Sequence, residues 1–98
     1  MRVKILSSAI NDLYQARLFY ERQREGLGEY FFDSLFSDID SLMIYAGMHA
    51  KFYDYHRLLS KRFPYAVYYT VQEKEIVLVH RVLDLRQNPK TIRGALQS

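Results

Sequence analysis

The sequence of 98 residues predicts an α+β domain, in which an antiparallel helical hairpin packs on a mainly antiparallel four-stranded sheet. Three observations predict this class. Two stretches with helical periodicity follow one another in the N-terminal half, and apolar residues of the C-terminal half alternate with the period of a strand. The chain is also too short for two independent cores. The expected order is β-α-α-β-β-β, followed by a short C-terminal helix or turn.

The first elements are a short half-buried strand over residues 2–6 and a helix directly after it. Ser7 or Ser8 offers a hydroxyl to the free N–H groups of the first helical turn, with Asp12 near the positive end of the helix. We expect this helix to stop at Gly26. Its apolar stripe has four members at helical spacing: Ala9, Leu13, Ala16 and Tyr20.

A second helix is predicted after the flexible connector Gly26-Leu27-Gly28. Gly47 is expected to end it in the left-handed conformation typical of a residue just past a helix. Because the connector is so short, the two helices must lie antiparallel or nearly so, and their joint apolar surface needs a sheet as cover. The seam of the second helix consists of Phe31, Leu35, Ile39, Leu42 and Ala46.

The second and third strands are predicted to form a hairpin over residues 55–61 and 65–72. Pro64 has no N–H group and a fixed φ, so the bend is placed at residues 61–64. Residues 51–55 show only weak alternation and indicate a loop.

A polar turn at residues 72–75 leads to the fourth strand, predicted over residues 76–83. Residues 76–79 are apolar on both faces, which favours a central, doubly covered position in the sheet. Asn88 and Pro89 start the last short helix or turn, since proline is tolerated at a first helical position.

Composition favours a folded protein without disulfides. The chain is 49% hydrophobic and 15% aromatic, and it contains no cysteine for a disulfide or a thiolate metal site. No apolar stretch approaches the roughly 20 residues needed to cross a bilayer, and the first residues do not resemble a signal peptide. We therefore expect a soluble cytoplasmic protein that has no membrane partner.

Charge is divided unequally between the two halves of the chain. Residues 1–49 carry five Lys/Arg against seven Asp/Glu, a net charge of −2, and residues 50–98 carry nine against four, a net charge of +5. This asymmetry favours an acidic partner or nucleic acid at the C-terminal half. An ordinary solvated basic surface is equally compatible with it.

The segment over residues 56–69 interleaves cationic and aromatic side chains. Stacking and phosphate contacts would suit single-stranded RNA, and the same basic groups would suit an acidic protein surface. Alternatively, the tyrosines fill the edge of the core and form cross-strand pairs. The side chains concerned are Arg57, Lys61, Arg62, Tyr65, Tyr68 and Tyr69.

The three histidines give no metal-ligand pattern. His49, His56 and His80 include no pair at helical i, i+4 spacing, so we expect no metal and no cofactor. His80 is expected on the strand face of Ile76, Leu78 and Val82, either as a half-buried histidine or as the base of a metal-free nuclease. Neighbouring strand residues face opposite sides, so His80 and Arg81 share a site only if a bulge intervenes.

Three short patterns in order resemble the RelE/ParE superfamily of bacterial toxins, which includes proteins labelled plasmid stabilisation proteins. They are A-x-x-D-L at residues 9–13, RFPY-x-V-x-Y at residues 62–69 and R-x-N-P at residues 86–89. The resemblance covers nearly the whole chain. It implies a RelE/ParE-like fold and a small toxin of a type II toxin–antitoxin pair, neutralised by a cognate antitoxin whose tail wraps the toxin.

The chemistry that the resemblance implies depends on the branch. RelE-like members are ribosome-dependent messenger-RNA endonucleases, and they commonly carry an arginine where this chain has Ala66, and a C-terminal tyrosine or histidine-tyrosine pair where it finishes ALQS. ParE-like members bind DNA gyrase and often have a histidine near the position of Asp84. We therefore expect a ParE-like toxin that inhibits growth by binding a cellular target such as DNA gyrase.

Two alternatives stay open. One is a RelE-like ribosome-dependent endonuclease that uses His80 or tyrosines together with Arg57, Arg62 and Arg86. The other is a degenerate toxin that only binds its antitoxin. The residues expected to contact the target or the antitoxin are Arg57, Lys61, Arg62, Tyr65, Tyr68, Arg81, Asp84 and Arg86.

Overall fold

The structure, a computed structural model, describes residues 1–97. Its elements in chain order are β1 (Arg2–Ile5), α1 (Ser7–Gln23), α2 (Leu27–Asp40), α3 (Leu42–Tyr45), β2 (Lys51–Phe52), β3 (Tyr55–Leu59), β4 (Tyr65–Gln72), a 3-10 turn at Glu73–Glu75, β5 (Ile76–Asp84) and α4 (Pro89–Gln97). The expected α+β class is confirmed, and the predicted elements occur in the predicted order; α3 and β2 are additional, and the final element is a helix.

The sheet has five strands in the order β1-β5-β4-β3-β2, where the sequence predicted four. β1 runs parallel to β5 and the other pairs are antiparallel. The additional strand is β2, in the segment that was predicted to be a loop. Its turn to β3 uses left-handed backbone at Tyr53 (φ 52°) and Asp54 (φ 71°) without a glycine, so the usual sequence signal of a tight hairpin is missing.

A bulge at His80 changes the faces of β5. Tyr68 pairs with Arg81 and Tyr69 pairs with Val79, so His80 is an extra residue opposite their junction. Val79 and Val82 consequently both enter the core on the side of α1 and α2. His80 therefore shares the face of Leu78 and Thr70, and the prediction that Val82 lies on this same face is wrong.

The helical hairpin of α1 and α2 covers one face of the sheet. The four residues predicted for the stripe of α1 are all buried, as are Phe31, Leu35 and Ile39 of α2. α1 ends at Gln23 rather than at Gly26. Gly26 has φ 86° and precedes α2, and the Glu21 carboxylate accepts its N–H at 3.0 Å and that of Gly28 at 2.9 Å. A side chain from α1 therefore supports the start of α2.

The predicted serine cap of α1 is wrong. The residue before the helix is Leu6, whose apolar side chain cannot cap the free N–H groups. Ser7 and Ser8 already lie inside the helix, and Ser8 donates its hydroxyl proton to the His80 carbonyl at 2.6 Å. The second helix is also shorter than predicted: α2 stops at Asp40 and the single turn α3 follows. Gly47 has φ 88° directly after α3, in agreement with its expected role.

Helix α4 covers the opposite face of the sheet. Ile92 and Leu96 pack with Ala66, Tyr68 and Leu83 in a second, smaller core. β4 lies between the two layers, because its odd-numbered residues face α1 and α2 and its even-numbered residues face α4. The sheet face that carries Tyr68 is thus a protein interior.

Candidate functional site

A cross-strand row of Arg57, Tyr68 and Arg81 crosses the sheet face below α4. Arg57 of β3 pairs with Tyr68 of β4, which pairs in turn with Arg81 of β5. Tyr68 is only 1% exposed, and burial raises the pKa of its hydroxyl while the neighbouring Arg57 acts in the opposite direction. The central Tyr68 is therefore covered by α4, and only the two arginines reach the surface, one on each side of this helix.

The end of the row at Arg81 is neutralised internally. Its Nε and Nη2 donate to the two carboxylate oxygens of Asp12 at 2.7 and 2.9 Å, and its Nη1 donates to the Ala95 carbonyl at 3.2 Å. The hydrogen bonds to Asp12 raise the pKa of Arg81. Arg81 therefore ties α1 and α4 to β5, and its charge is already matched by a carboxylate.

The end of the row at Arg57 is different. Its guanidinium carbon lies 3.6 Å from the centroid of the Phe52 ring, a cation–π contact. Its Nε is buried and has no hydrogen-bond partner, and no ion pair to Arg57 exists within residues 1–97. A buried donor without an acceptor costs about 1–3 kcal/mol.

Arg57 also lines a groove of about 260 Å³ beside the first turn of α4. The other lining residues are Phe52, Tyr53, Tyr68, Leu85, Gln87, Pro89 and Ile92. We call this feature the Arg57 groove.

The hairpin between β3 and β4 carries Lys61 and Arg62 on the side of α2. Arg62 Nη1 donates to the Tyr30 hydroxyl at 3.0 Å. The turn is fixed by Asp38, a carboxylate only 6% exposed, which accepts the Ser60 hydroxyl proton at 2.7 Å. These two predicted contact residues therefore lie at a different place from Arg57.

Asp84, Arg86 and Tyr65 form a third group, near the end of β5. Two nitrogens of Arg86 donate to the Asp84 carboxylate, at 3.0 and 2.7 Å. This pairing lowers the pKa of Asp84 and raises that of Arg86. Tyr65 is 7% exposed and packs on Tyr20 and Phe31, and burial raises its pKa. Tyr65 thus contributes to the core, like Tyr68.

His80 is half-buried and engaged. Its Nε2 lies 2.8 Å from the Thr70 hydroxyl, and its ring meets the edge of Tyr55 at 5.0 Å between centroids. Burial lowers its pKa, so the neutral form is favoured. Because of the bulge, His80 and Arg81 line one small groove with Ser8 and Leu96.

The candidate nuclease residues have separate environments. His80 contacts Thr70 and Tyr55, Arg57 stacks on Phe52, Arg62 contacts Tyr30 and Arg86 contacts Asp84. General acid–base cleavage of RNA needs a base, an acid and cations around one phosphate. These contacts bring no two of the four candidates together.

Three features of the site were not predicted from the sequence. Asp12 was placed near a helix end and instead binds Arg81, although the A-x-x-D-L pattern contains it. Phe52 was placed in a loop and instead supports Arg57. The third is a polar cluster in which the buried Tyr69 hydroxyl accepts the Gly47 N–H at 3.0 Å and bonds Nδ1 of His49. Burial, and then the nearby His56, lower the pKa of His49.

Within the described range, no group of three or more His, Asp or Glu side chains is placed to hold a metal ion. Among the helices of residues 1–97, none is both long and apolar enough to span a membrane.

The architecture is that of a known toxin–antitoxin structure. The chain is similar to a chain of the solved structure titled "Chromosomal ParDE TA system from P. aeruginosa", with a TM-score of 0.78 and 14% sequence identity, over 88% of this chain and 97% of that chain. No protein-family model matches the sequence, and no curated protein matches it. The chain therefore shares the fold of that chain, in agreement with the fold that the three sequence patterns implied.

Proposed function

We propose that this protein is the toxin of a type II toxin–antitoxin pair, of the ParE-like kind, which inhibits growth by binding a cellular target and is neutralised by a cognate antitoxin. The observation that carries the proposal is the fold shared with the ParDE structure over 88% of the chain. The separate environments of His80, Arg57, Arg62 and Arg86 support a binding role over a catalytic one. DNA gyrase is the proposed target.

The Lys61–Arg62 hairpin is the proposed target contact. It projects two cations from a turn that Asp38 holds in place, and both residues are exposed. An ordered turn presents charges with little further loss of entropy on binding.

DNA supercoiling by purified gyrase tests this target. The wild-type protein should reduce supercoiling or trap cleaved DNA, and the double variant Lys61→Gln/Arg62→Gln should do so less. The double variant Arg22→Gln/Arg24→Gln is the matched control, since it removes the same charge from exposed positions at the end of α1. Undiminished supercoiling at a large molar excess of wild-type protein would exclude gyrase.

A ribosome-dependent messenger-RNA endonuclease is the second candidate. It is favoured by the bulge that brings His80 and Arg81 to one groove. Primer extension on messenger RNA from a translating extract should then show new cuts that disappear with His80→Ala. An unchanged ladder with the wild-type protein excludes this function. A degenerate toxin that only binds antitoxin predicts no growth defect on expression.

A further inference from the structure

We propose that the Arg57 groove receives an acidic side chain of a protein partner, with the Arg57 guanidinium binding the carboxylate. This inference rests on the proposed function in one respect, because it gives the chemistry of a partner that a toxin of this fold would bind. Its physical basis is independent of toxicity and can be measured on the purified protein.

The first argument is the state of the guanidinium. Within residues 1–97, Arg57 Nε is the only buried side-chain nitrogen or oxygen without a hydrogen-bond partner. Of the other arginines predicted at the site, Arg81 and Arg86 each have a carboxylate at 2.7 Å, and Arg62 donates to the Tyr30 hydroxyl at 3.0 Å. The Arg57 side chain hydrogen-bonds to the Tyr68 hydroxyl, but its Nε has no acceptor and no carboxylate of residues 1–97 pairs with it, so the guanidinium can still bind an external carboxylate.

The second argument is the orientation that Phe52 imposes. With its guanidinium carbon 3.6 Å from the ring centroid, Arg57 is held against the aromatic ring. Stacking on a ring engages the face of the guanidinium and leaves the N–H groups at its edge available, and these match the two oxygens of a carboxylate.

Access to Nε requires a shift of the neighbouring edge segment, because this atom is buried. Phe52 belongs to a two-residue edge strand, and Tyr53, which is 46% exposed, follows it in left-handed backbone. Tyr53 lines the groove beside Arg57, and the edge strand before it pairs with β3 alone, so a shift of this segment is the route by which a carboxylate reaches Nε.

The third argument is the lining of the groove, which selects between partners. Phe52, Leu85, Pro89 and Ile92 make half of the lining apolar, and none of the lining residues is acidic. A volume of about 260 Å³ suits one side chain with an aliphatic stem. A nucleic acid strand presents repeated phosphates and is usually bound by several unpaired cations, whereas here Arg57 is a single one. The lining therefore favours a glutamate or aspartate of a protein over RNA or DNA.

The experiment follows the Arg57 Nε–H signal in proton–nitrogen correlation spectra of the purified protein. The probes are the capped peptides acetyl-Leu-Glu-Leu-amide and acetyl-Leu-Gln-Leu-amide. The glutamate peptide should shift the Arg57 signal saturably, and its dissociation constant should be lower than that of the glutamine peptide by at least about tenfold.

Two variants separate the guanidinium from simple charge. Arg57→Lys keeps the charge but removes the Nε donor, and should weaken binding of the glutamate peptide by at least about fivefold. Arg22→Gln removes one charge from an exposed position on α1 and should leave binding unchanged. Backbone spectra of each variant verify that it is folded, and the wild-type titration needs no variant at all.

Three results would overturn the proposal: no shift at Arg57, equal affinity for the two peptides, or tighter binding of a short oligouridylate than of the glutamate peptide. Peptide binding in a protein that causes no growth defect would contradict the toxin function and leave the groove assignment standing. Growth inhibition by a protein that does not bind the peptide would contradict the groove assignment and leave the toxin function standing.

Discussion

Asp12 of α1 binds Arg81 of β5 through both carboxylate oxygens, at 2.7 and 2.9 Å. One of these oxygens also accepts the Val82 N–H at 2.9 Å. β1 pairs with β5 only as far as Val79, so the next residues of β5 have no strand on that side. The Asp12 carboxylate therefore accepts a backbone N–H that would otherwise bond to a neighbouring strand. This contact lies next to the bulge at His80, which directs the Arg81 side chain towards Asp12.

Replacing Asp12 by alanine should therefore be strongly destabilising. It leaves Nε and Nη2 of Arg81 and the Val82 N–H without an acceptor, and we expect a loss of about 3 kcal/mol in the free energy of unfolding. Urea denaturation followed by circular dichroism measures it. Asp33→Asn, at an exposed position of α2, serves as the control and should change stability by less than about 0.5 kcal/mol. Equal stability of the two variants would contradict the role of Asp12.

A pair of glycine substitutions tests the contact between α1 and α2. A Cβ at Gly28 would lie 2.6 Å from the Arg17 carbonyl oxygen, so Gly28→Ala should cost about 1–3 kcal/mol by forcing the helices apart. A Cβ at Gly94 in α4 meets nothing within 4 Å, and Gly94→Ala should stabilise the protein by about 0.5–1 kcal/mol. Thermal melts should show a lower melting temperature for Gly28→Ala and a higher one for Gly94→Ala than for the wild type. A Gly28→Ala protein as stable as the wild type would show that the hairpin is packed less tightly than described.

The buried Asp38 carboxylate should control the order of the hairpin that carries Lys61 and Arg62. Asp38→Ala removes the acceptor of the Ser60 hydroxyl and of the Lys61 N–H, and should destabilise the protein by about 2 kcal/mol. Ser60→Ala loses only one of these bonds and should cost about 1 kcal/mol. Amide hydrogen exchange at residues 60–63 should accelerate more in Asp38→Ala than in Ser60→Ala. Identical exchange in both would show that the carboxylate does not hold the turn.

Stability should fall when the pH is lowered through the ordinary range of histidine. The Tyr69 hydroxyl accepts the Gly47 N–H and can donate its own proton only to a neutral His49. The pKa of His49 is lowered in the folded protein by burial and by His56, so the unfolded chain binds a proton first. The contribution of His49 is therefore complete above the unfolded pKa of about 6.5, and it is lost progressively as the pH falls from there through the lower pKa of the folded protein.

Urea midpoints at about pH 7.5 and about pH 5 measure this loss. The midpoint of the wild type should be lower at the acidic pH, and His49→Gln should show a smaller difference. Burial also lowers the pKa of His80, so His80 contributes a further loss of stability on acidification. Asp84 affects stability in a separate, more acidic pH range. Arg86 lowers the pKa of Asp84, so the stability that this ion pair contributes is lost only in more acidic solution. A urea midpoint that rises between about pH 7.5 and about pH 5 would contradict a stabilising role of neutral His49 beside Tyr69.

Much of the architecture was predictable because alternation and helical periodicity carry it. β4 was predicted with its observed bounds, and β5 lacked only Asp84, since both strands are long and central. The four buried positions of α1 follow from spacing alone. β2 was missed because a strand of two residues has no periodicity to detect.

The candidate site was less predictable, because it depends on departures from regular structure. The bulge at His80 reverses the faces of the residues around it, and no glycine or proline marks it in the sequence. Tyr65 and Tyr68 were expected at a binding surface, but the helices on the two faces of the sheet bury them. The pairing of Arg81 with Asp12 joins residues 69 positions apart, which local patterns cannot reveal.

The most direct test of the toxin assignment is induced expression in bacteria, with and without the small gene next to its own, while growth, the DNA-damage response and protein synthesis are recorded. Expression alone should stop growth with induction of the DNA-damage response, and co-expression of the neighbouring gene should restore growth. Unimpaired growth on expression alone would contradict a toxin. Immediate loss of protein synthesis without a DNA-damage response would contradict a gyrase target.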